Sequence, residues 1–359
     1  MQSKHHPLLT VVKVLGIIVL VVVLLVVVLL GALTVFEYRP ADKESLDITG
    51  SSLKCPASGD TITIESWNVG YMGLGESADF FMDGGRSVRE QTRDQVEDNI
   101  RAAGEEISSG ADIVLLQEVD VDSARSYHID EVSALSEKKP DSSAVFACNF
   151  KVPFIPYPIP PIGKVYGGIL TISDYTITQA DRYQLPCPFS WPVRIGNLKR
   201  CLLVSRIPIS DSDHELVVVN LHLEAYDDGE GKAKQTAMLA EILEEERAAG
   251  NYVIAGGDFN QYFTNTDISA YPVHEDKWQP GAVDVDAFPG FVSVQDPTFP
   301  TCRSLDRPYD PEDDDFQFYV IDGFIVSDNL LDIQVETKDL GFKNSDHNPV
   351  TLRVTVPKE

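Results

Sequence analysis

Eight side chains in this sequence have the types and settings for hydrolytic chemistry. They are Asn68 in Ser66-Trp67-Asn68, Glu118 in Leu116-Gln117-Glu118, His222 in Asn220-Leu221-His222-Leu223, Asp258 and Asn260 in Gly257-Asp258-Phe259-Asn260, Asp322 in Val320-Ile321-Asp322-Gly323-Phe324, and Asp346 and His347 in Ser345-Asp346-His347. Most close an apolar, β-branched run, which is how a sheet presents side chains at its rim. Magnesium takes hard oxygen ligands and keeps several waters, so one or two carboxylates are enough to hold it. Glu118, at the exit of Ile113-Val114-Leu115-Leu116, is the first expected ligand, with Asn68 and Asp346 beside it. Magnesium is the expected ion, and manganese and calcium are its alternatives. Asp258 is suited to take a proton from an attacking water, and Asn260, two residues on, to orient that water or a phosphate oxygen. His222 and His347 are placed as donors to phosphoryl oxygens as charge builds on them. Asp322 lies in an apolar run and needs a partner. His347 is the natural one, since a carboxylate on one ring nitrogen fixes the tautomer. Each motif alone reads as a strand-end turn residue; the ordered set points to a divalent cation and a phosphate ester.

The elements that must position these groups follow from periodicity. Alternating or continuous apolar runs predict strands over 61–67, 113–116, 142–150, 168–173, 198–204, 215–221, 251–255, 319–326 and 350–356. A stripe of Val88, Val96, Ile100, Ala103 and Ile107 predicts a helix over 88–108. A second helix is expected over 232–249, with Ala233, Ala237, Leu239, Ile242 and Leu243 inward. Many strands with two or three helices in mixed order imply two packed sheets with helices outside. Three segments interrupt the pattern: the glycine-rich 70–86, the proline-rich 151–164 and the acidic 306–316. Loops of that length often form functional lips, and on position alone Arg303 and Tyr309 are further substrate-binding candidates. The acidic run reads as a solvated loop, and His5, His6, His128, His214 and His274 as surface residues.

The chain has 359 residues and a formal net charge of −27. No acidic residue precedes position 37, so the negative charge lies entirely beyond the N-terminal segment. A field of that sign repels nucleic-acid backbones unless cations intervene. Val14 to Phe36 carries no charge and is rich in Val and Leu, long enough to span a bilayer and longer than the apolar core of a cleaved signal. Residues 1–13 are thus expected as a short cytoplasmic N-terminus, 14–36 as a single-pass anchor, 37–60 as a linker, and 61–359 as an extracytoplasmic catalytic domain. The 5 cysteines form no CxxC pair, which argues against a zinc site. Cys187 and Cys201, flanking a proline-containing turn, are the first expected disulfide.

The motifs in this order resemble the endonuclease/exonuclease/phosphatase superfamily, which includes pancreatic deoxyribonuclease, apurinic endonucleases, neutral sphingomyelinases and inositol polyphosphate phosphatases. The resemblance runs from about Thr61 to Val356. It implies a four-layer α/β sandwich, two mixed sheets flanked by helices, with the site at one rim. By the same resemblance Glu118 is the metal-binding glutamate, Asn68 the asparagine beside the metal, and Asp258 the aspartate that activates water or binds phosphate. Asn260 is its companion, His222 the histidine of the Asn/Thr-His-Leu motif, Asp346 and His347 the closing pair, and Asp322 the acid that orients that histidine. Several nucleases of the superfamily carry a second carboxylate two residues after the first asparagine; here Gly70 stands there. The loop Phe80-Phe81-Met82-Asp83-Gly84-Gly85 and the proline-rich loop resemble a bacterial, membrane-anchored subgroup.

The expected activity is metal-dependent hydrolysis of a phosphate ester, as phosphodiesterase or phosphatase, on a lipid, a nucleic acid or a small phosphodiester. A nuclease acting on extracellular nucleic acid is the alternative within that class, and a catalytically weak surface-binding protein the alternative outside it. The only other partner implied is the membrane, through the N-terminal helix.

Overall fold

A computed structural model of the protein describes residues 7–108, 110–227, 229–313 and 315–358. Lys4, His5 and His6, the start of the expected cytoplasmic stretch, and Asp314 of the acidic run lie outside the described residues. Two seven-stranded mixed sheets face each other. In the first, the strands run in the spatial order Leu331–Thr337, Val350–Thr355, Thr61–Asn68, Ile113–Asp120, Gly163–Ser173, Ser143–Ile155 and Ile48–Gly50. In the second the order is Lys43–Ser45, Gln179–Gln184, Cys201–Pro208, Glu215–His222, Tyr252–Asp258, Asp322–Ser327 and Phe291–Val294. Helices Arg93–Ser108 and Glu131–Ser136 cover the outside of the first sheet, and Glu230–Ala248 that of the second. The result is the four-layer α/β sandwich expected.

Side-chain alternation explains both the core and the rim. Successive strand residues point to opposite faces. Ile62 and Ile64, Ile113 and Leu115, Leu216 and Val218, Ile254, and Phe324 and Val326 fill the space between the sheets. Val114 and Leu116 pack under the first-sheet helices, and Val217, Val219 and Leu221 under the second-sheet helix. Carried on by steps of two, the inter-sheet face of these strands ends in Asn68, Gln117, His222, Asp258 and Asp322. The pairing register brings them level, because Asn68 lies opposite Gln117, and Asp258 lies opposite both His222 and Asp322.

Several boundaries differ from the sequence expectation. The helix expected from Val88 starts at Arg93, since Thr92 and Gln95 form a reciprocal capping box (Thr92 N to Gln95 Oε1 2.9 Å, Gln95 N to Thr92 Oγ1 3.4 Å). Ala233 and Ala237 face solvent, and the helix instead buries Lys232 and Gln235 beside Leu239, Ile242 and Leu243. Gln235 is drawn inward by two hydrogen bonds, from Glu224 N and to Pro186 O, each 2.9 Å. The two ends of the proline-rich segment are strand and its middle, 156–162, is the connecting tip: Ser143–Ile155 pairs with Gly163–Ser173, with register shifts between Cys148 and Phe150 and between Val152 and Ile155. Pro153 falls in the second irregularity, where no ladder hydrogen bond is required of it. Gln179–Gln184 was hidden by its polarity; its Arg182 is buried and donates to the carbonyls of Cys148 and Lys199. Within the stretch read as a linker, Lys43–Ser45 and Ile48–Gly50 add an edge strand to each sheet. All five cysteines are unpaired, which corrects the Cys187–Cys201 expectation. Cys201 points into the inter-sheet core while Cys187 is exposed in the loop.

The N-terminal helix, Pro7–Val35, is exposed from Thr10 to Leu29 and meets the domain at its C-terminal end, where Leu33 is buried and Leu30 and Thr34 are half-buried; its Thr10–Val35 portion is long and apolar enough to cross a membrane.

Candidate active site

Asp258 is the hub. It ends its strand buried between the sheets, and Asn68 Nδ2 donates to its Oδ2 at 3.0 Å. Asn260 N donates to Oδ1 at 2.8 Å, while His222 Nε2 and His347 Nε2 stand 3.4 and 3.9 Å from Oδ2. Burial, and then the charge of Asp322, hold the Asp258 carboxyl above the ordinary carboxylate range. That is the direction a proton acceptor working near neutrality needs.

The two histidines are tuned apart. His347 Nδ1 lies 2.9 Å from Asp322 Oδ2. Burial works against its charge, but Cys302 and Asp322 raise it well above the usual imidazole value, favouring the imidazolium. Trp67 Nε1 donates to the His347 carbonyl at 2.8 Å, and Ser345 Oγ to the Asn68 carbonyl at 2.7 Å, tying the last motif to the first. His222 is pushed well below the usual value by burial, Arg200 and His347. It is the neutral member, and its buried Nδ1 has no partner among the described residues.

Beneath this cluster lies a polar floor. Gln117 Nε2 donates to Asn220 Oδ1 at 2.9 Å, and Asn220 Nδ2 to the Leu170 carbonyl at 3.0 Å, bridging the two sheets. Both residues belong to motifs read from the sequence, but their bridging role depends on sheet packing.

Glu118 sits where its strand bulges, with φ 55°, a left-handed conformation that turns the side chain from the ladder into the pocket. Asn68 Nδ2 reaches Glu118 Oε1 at 3.3 Å, while Asn68 Oδ1 accepts from Gly70 N at 3.0 Å. Asn68 therefore contacts both Glu118 and Asp258 through its nitrogen, while its oxygen, the atom expected to face the cation, is held by the Gly70 N–H. Asp346 is buried in the same pocket, and burial together with the charge of Glu118 pushes it up to about 6 against the pull of His347 and Arg303. Two carboxylates brought into one pocket, with Asp346 raised by its neighbour's charge, are the donor set a hard divalent cation fits. Two tight ligand groups also form, Asp258, Asp322 and His347, and Cys302, Asp346 and His347, each within 4.8 Å. Gly70 has φ +51°, and a Cβ there would stand 2.8 Å from Asp346 Oδ1. A second carboxylate at this position would crowd Asp346.

The cluster opens into a pocket of about 530 Å³. Its far wall is apolar, with Phe80, Phe81, Met82, Ile155, Ile162 and Leu198. Tyr226 Oη donates to Asp83 Oδ1 at 3.0 Å across the pocket, and Phe81 meets Tyr157 edge-on with ring centres 5.8 Å apart. Asp83, Tyr226, Arg125 and Arg200 line the pocket without having been singled out. Only the long loop 70–86 gave a signal, and that for Asp83.

The remaining candidates are placed differently from one another. Arg303 touches the pocket, but its guanidinium is committed to the carbonyls of Leu74, Gly75, Ala78 and Ser304 and pins loop 74–78. Tyr309 is outside the pocket lining and packs with Phe316, Phe318 and Phe342.

Fold and site together define a phosphate-ester hydrolase sandwich. Residues 66–317 match the Endonuclease/Exonuclease/phosphatase family, and the chain belongs to it. An endonuclease/exonuclease/phosphatase from Beutenbergia cavernae DSM 12333 superposes with a TM-score of 0.57 at 17% identity, over 83% of this chain and 72% of that one. The human Nocturnin catalytic domain, solved with a bound sulfate anion, gives 0.51 at 15% identity, over 86% and 96%. A mannosyl-6-phosphatase from Bacteroides thetaiotaomicron VPI-5482 gives 0.50 at 14%, over 82% and 99%. At these identities the likeness is one of fold. No curated protein sequence matches the chain significantly.

Proposed function

We propose that this protein is a divalent-metal-dependent phosphodiesterase or phosphatase, anchored by its N-terminal helix with the catalytic domain on the outer side of the membrane. The observation that carries the hydrolase reading is the coordination around Asp258. One buried acid is contacted by an amide, a backbone N–H and two oppositely tuned histidines, with Glu118 and Asp346 beside it.

In this mechanism Asp258 accepts the proton of the attacking water. Asn68 and Asn260 N hold its two oxygens, so the carboxylate presents a fixed edge to the pocket. His347, kept charged by Asp322, donates to a phosphoryl oxygen. His222 adds a neutral donor, and Asn260 Nδ2 is fixed on the Leu223 carbonyl at 2.9 Å. Glu118 and Asp346 would hold the cation, magnesium being the first choice; when bound it supplies charge neutralisation for the phosphate.

A pocket lined by apolar side chains beside the polar cluster, in a protein of net charge −27, serves a lipid or small phosphodiester better than a polynucleotide. The test is turnover of bis-p-nitrophenyl phosphate, sphingomyelin, phosphoinositides and plasmid DNA with magnesium, then with EDTA. Hydrolysis of a phosphate ester that EDTA and Asp258→Asn both abolish is the expected result. Full turnover in Asp258→Asn would sink the reading.

A further inference from the structure

Two surface segments next to the pocket carry large apolar side chains outward. Tyr157 and Ile159, at the tip of the hairpin between Ser143–Ile155 and Gly163–Ser173, are 68% and 93% exposed. Trp191 and Val193, at the short turn Val193–Gly196, are 53% and 57% exposed. Both segments also build the pocket, the first through Ile155, Tyr157 and Ile162 and the second through Gly196, Asn197 and Leu198.

These segments adjoin the C-terminal end of the apolar helix. Trp191 Nε1 donates to Thr34 Oγ1 at 3.1 Å. Just past the helix, Glu37 pairs with Arg194 Nε at 3.2 Å and Lys199 Nζ at 3.5 Å. The strand Ser143–Ile155 touches both the helix and the Val193–Gly196 turn. A helix crossing a bilayer leaves it near its last apolar residues, and the headgroup level there favours Trp and Tyr. Side chains bonded to that end of the helix are held at the same depth.

We propose that the Tyr157–Ile159 hairpin tip and the Trp191–Val193 segment rest in the bilayer interface beside the anchor, so that the pocket opens onto the membrane and takes its phosphate ester from a lipid. This rests on the hydrolase and anchor readings above and narrows them to a substrate class. The phosphate would meet Asp258 and His347 at the polar end of the pocket. The adjoining apolar part of the lipid would lie along Phe80, Phe81, Met82, Ile155, Ile162 and Leu198. The proposal explains why apolar side chains are exposed on both segments that flank the mouth, where a water-facing rim would carry polar ones.

The test uses the full chain in lipid nanodiscs. With brominated phospholipids, fluorescence quenching is expected in the wild type and should fall by at least half in Trp191→Phe, because Trp67 is buried in the domain and the half-buried Trp278, in the pocket lining, is the one other tryptophan a lipid could reach. The double variant Ile159→Asp/Val193→Asp changes two side chains outside the pocket lining. It should lower turnover of nanodisc phospholipid and sphingomyelin at least tenfold while leaving bis-p-nitrophenyl phosphate within twofold. No Trp191-dependent quenching, or equal lipid turnover in the double variant, overturns the proposal. So does cleavage of plasmid DNA with the lipids untouched. A wild type that cleaves none of these esters defeats the hydrolase reading instead, and the quenching result still decides the membrane contact.

Discussion

The two ends of the pocket are built from different material. The polar end stands on strand termini from both sheets, and each group there is fixed by at least one neighbour: Asn68 clamps two acids, Asp322 holds His347, and Trp67 holds the His347 carbonyl. The apolar end is made largely of side chains on connecting segments, Phe80 to Asp83, the 156–162 tip and the turn before Leu198. Rigid elements give the precision that proton transfer requires. Loops give a wall that can differ between related proteins without disturbing the chemistry. On this division the polar end sets the reaction and the apolar end the substrate, and variants at the two ends should fail in different ways.

The largest effect is expected at the hub. Asp258→Asn and His347→Ala should each lower kcat by about a thousandfold, roughly 4 kcal/mol of transition-state stabilisation, with unchanged circular dichroism. A loss under tenfold in either would break the comparison at its polar end. Glu118→Gln comes next: calorimetry should show magnesium affinity weakened about 10–100-fold, the scale on which ligand-set changes act. Unaltered affinity would move the cation elsewhere in the pocket.

Asp322→Asn sharpens the same end. Burial alone lowers the imidazole of His347, and Cys302 and Asp322 raise it. Removing one of the two lowers it, so the alkaline limb of the kcat–pH profile should move to lower pH, with kcat down about tenfold at neutrality. A profile that only scales, without shifting, would leave Asp322 a packing role. At the other end, Phe81→Ala should raise KM for an apolar ester about 5–10-fold with kcat nearly unchanged, as lost uniform binding does. A fall in kcat instead would show that the two ends are not separable.

The smallest effect is on stability. Asp346 is raised from 3.8 to about 6 in the folded chain. Between those values the cation-free fold retains a proton that the unfolded chain has released, so from this group stability falls as pH rises through that window and does not return above it. Magnesium supplies the missing charge, so the rise in Tm it produces should be larger at pH 7.5 than at pH 5, and Asp346→Asn should flatten the difference. Equal magnesium shifts at both pH values would mean that Asp346 does not face the cation.

Much of this was legible because two local signals coincide. Apolar alternation marks the strands, and most motifs stand where the alternation turns polar, so Asn68, Glu118, His222 and Asp258 could be picked out as candidates one by one, with Asp322 conspicuous as an acid inside an apolar run and His347 as its natural partner. What stayed hidden has no local signature. Gln179–Gln184 reads as loop because its buried Arg182 finds its acceptors on two other segments. Arg303 reads as a substrate ligand because nothing near it in sequence discloses the carbonyls of Leu74, Gly75 and Ala78. Asp83 and Tyr226 meet across 143 residues.

The amino-acid order by itself determined the two-sheet class, the membrane-length helix and the places where polar side chains end or interrupt the apolar runs, because side-chain periodicity and composition act over a few residues. Only the folded chain decided that the one side-chain nitrogen of Asn68 faces both Glu118 and Asp258, which histidine favours the charged form, and that apolar pocket-lining segments adjoin the foot of the helix. Those outcomes depend on burial and on distances between strands far apart in sequence, and electrostatic energy varies with both.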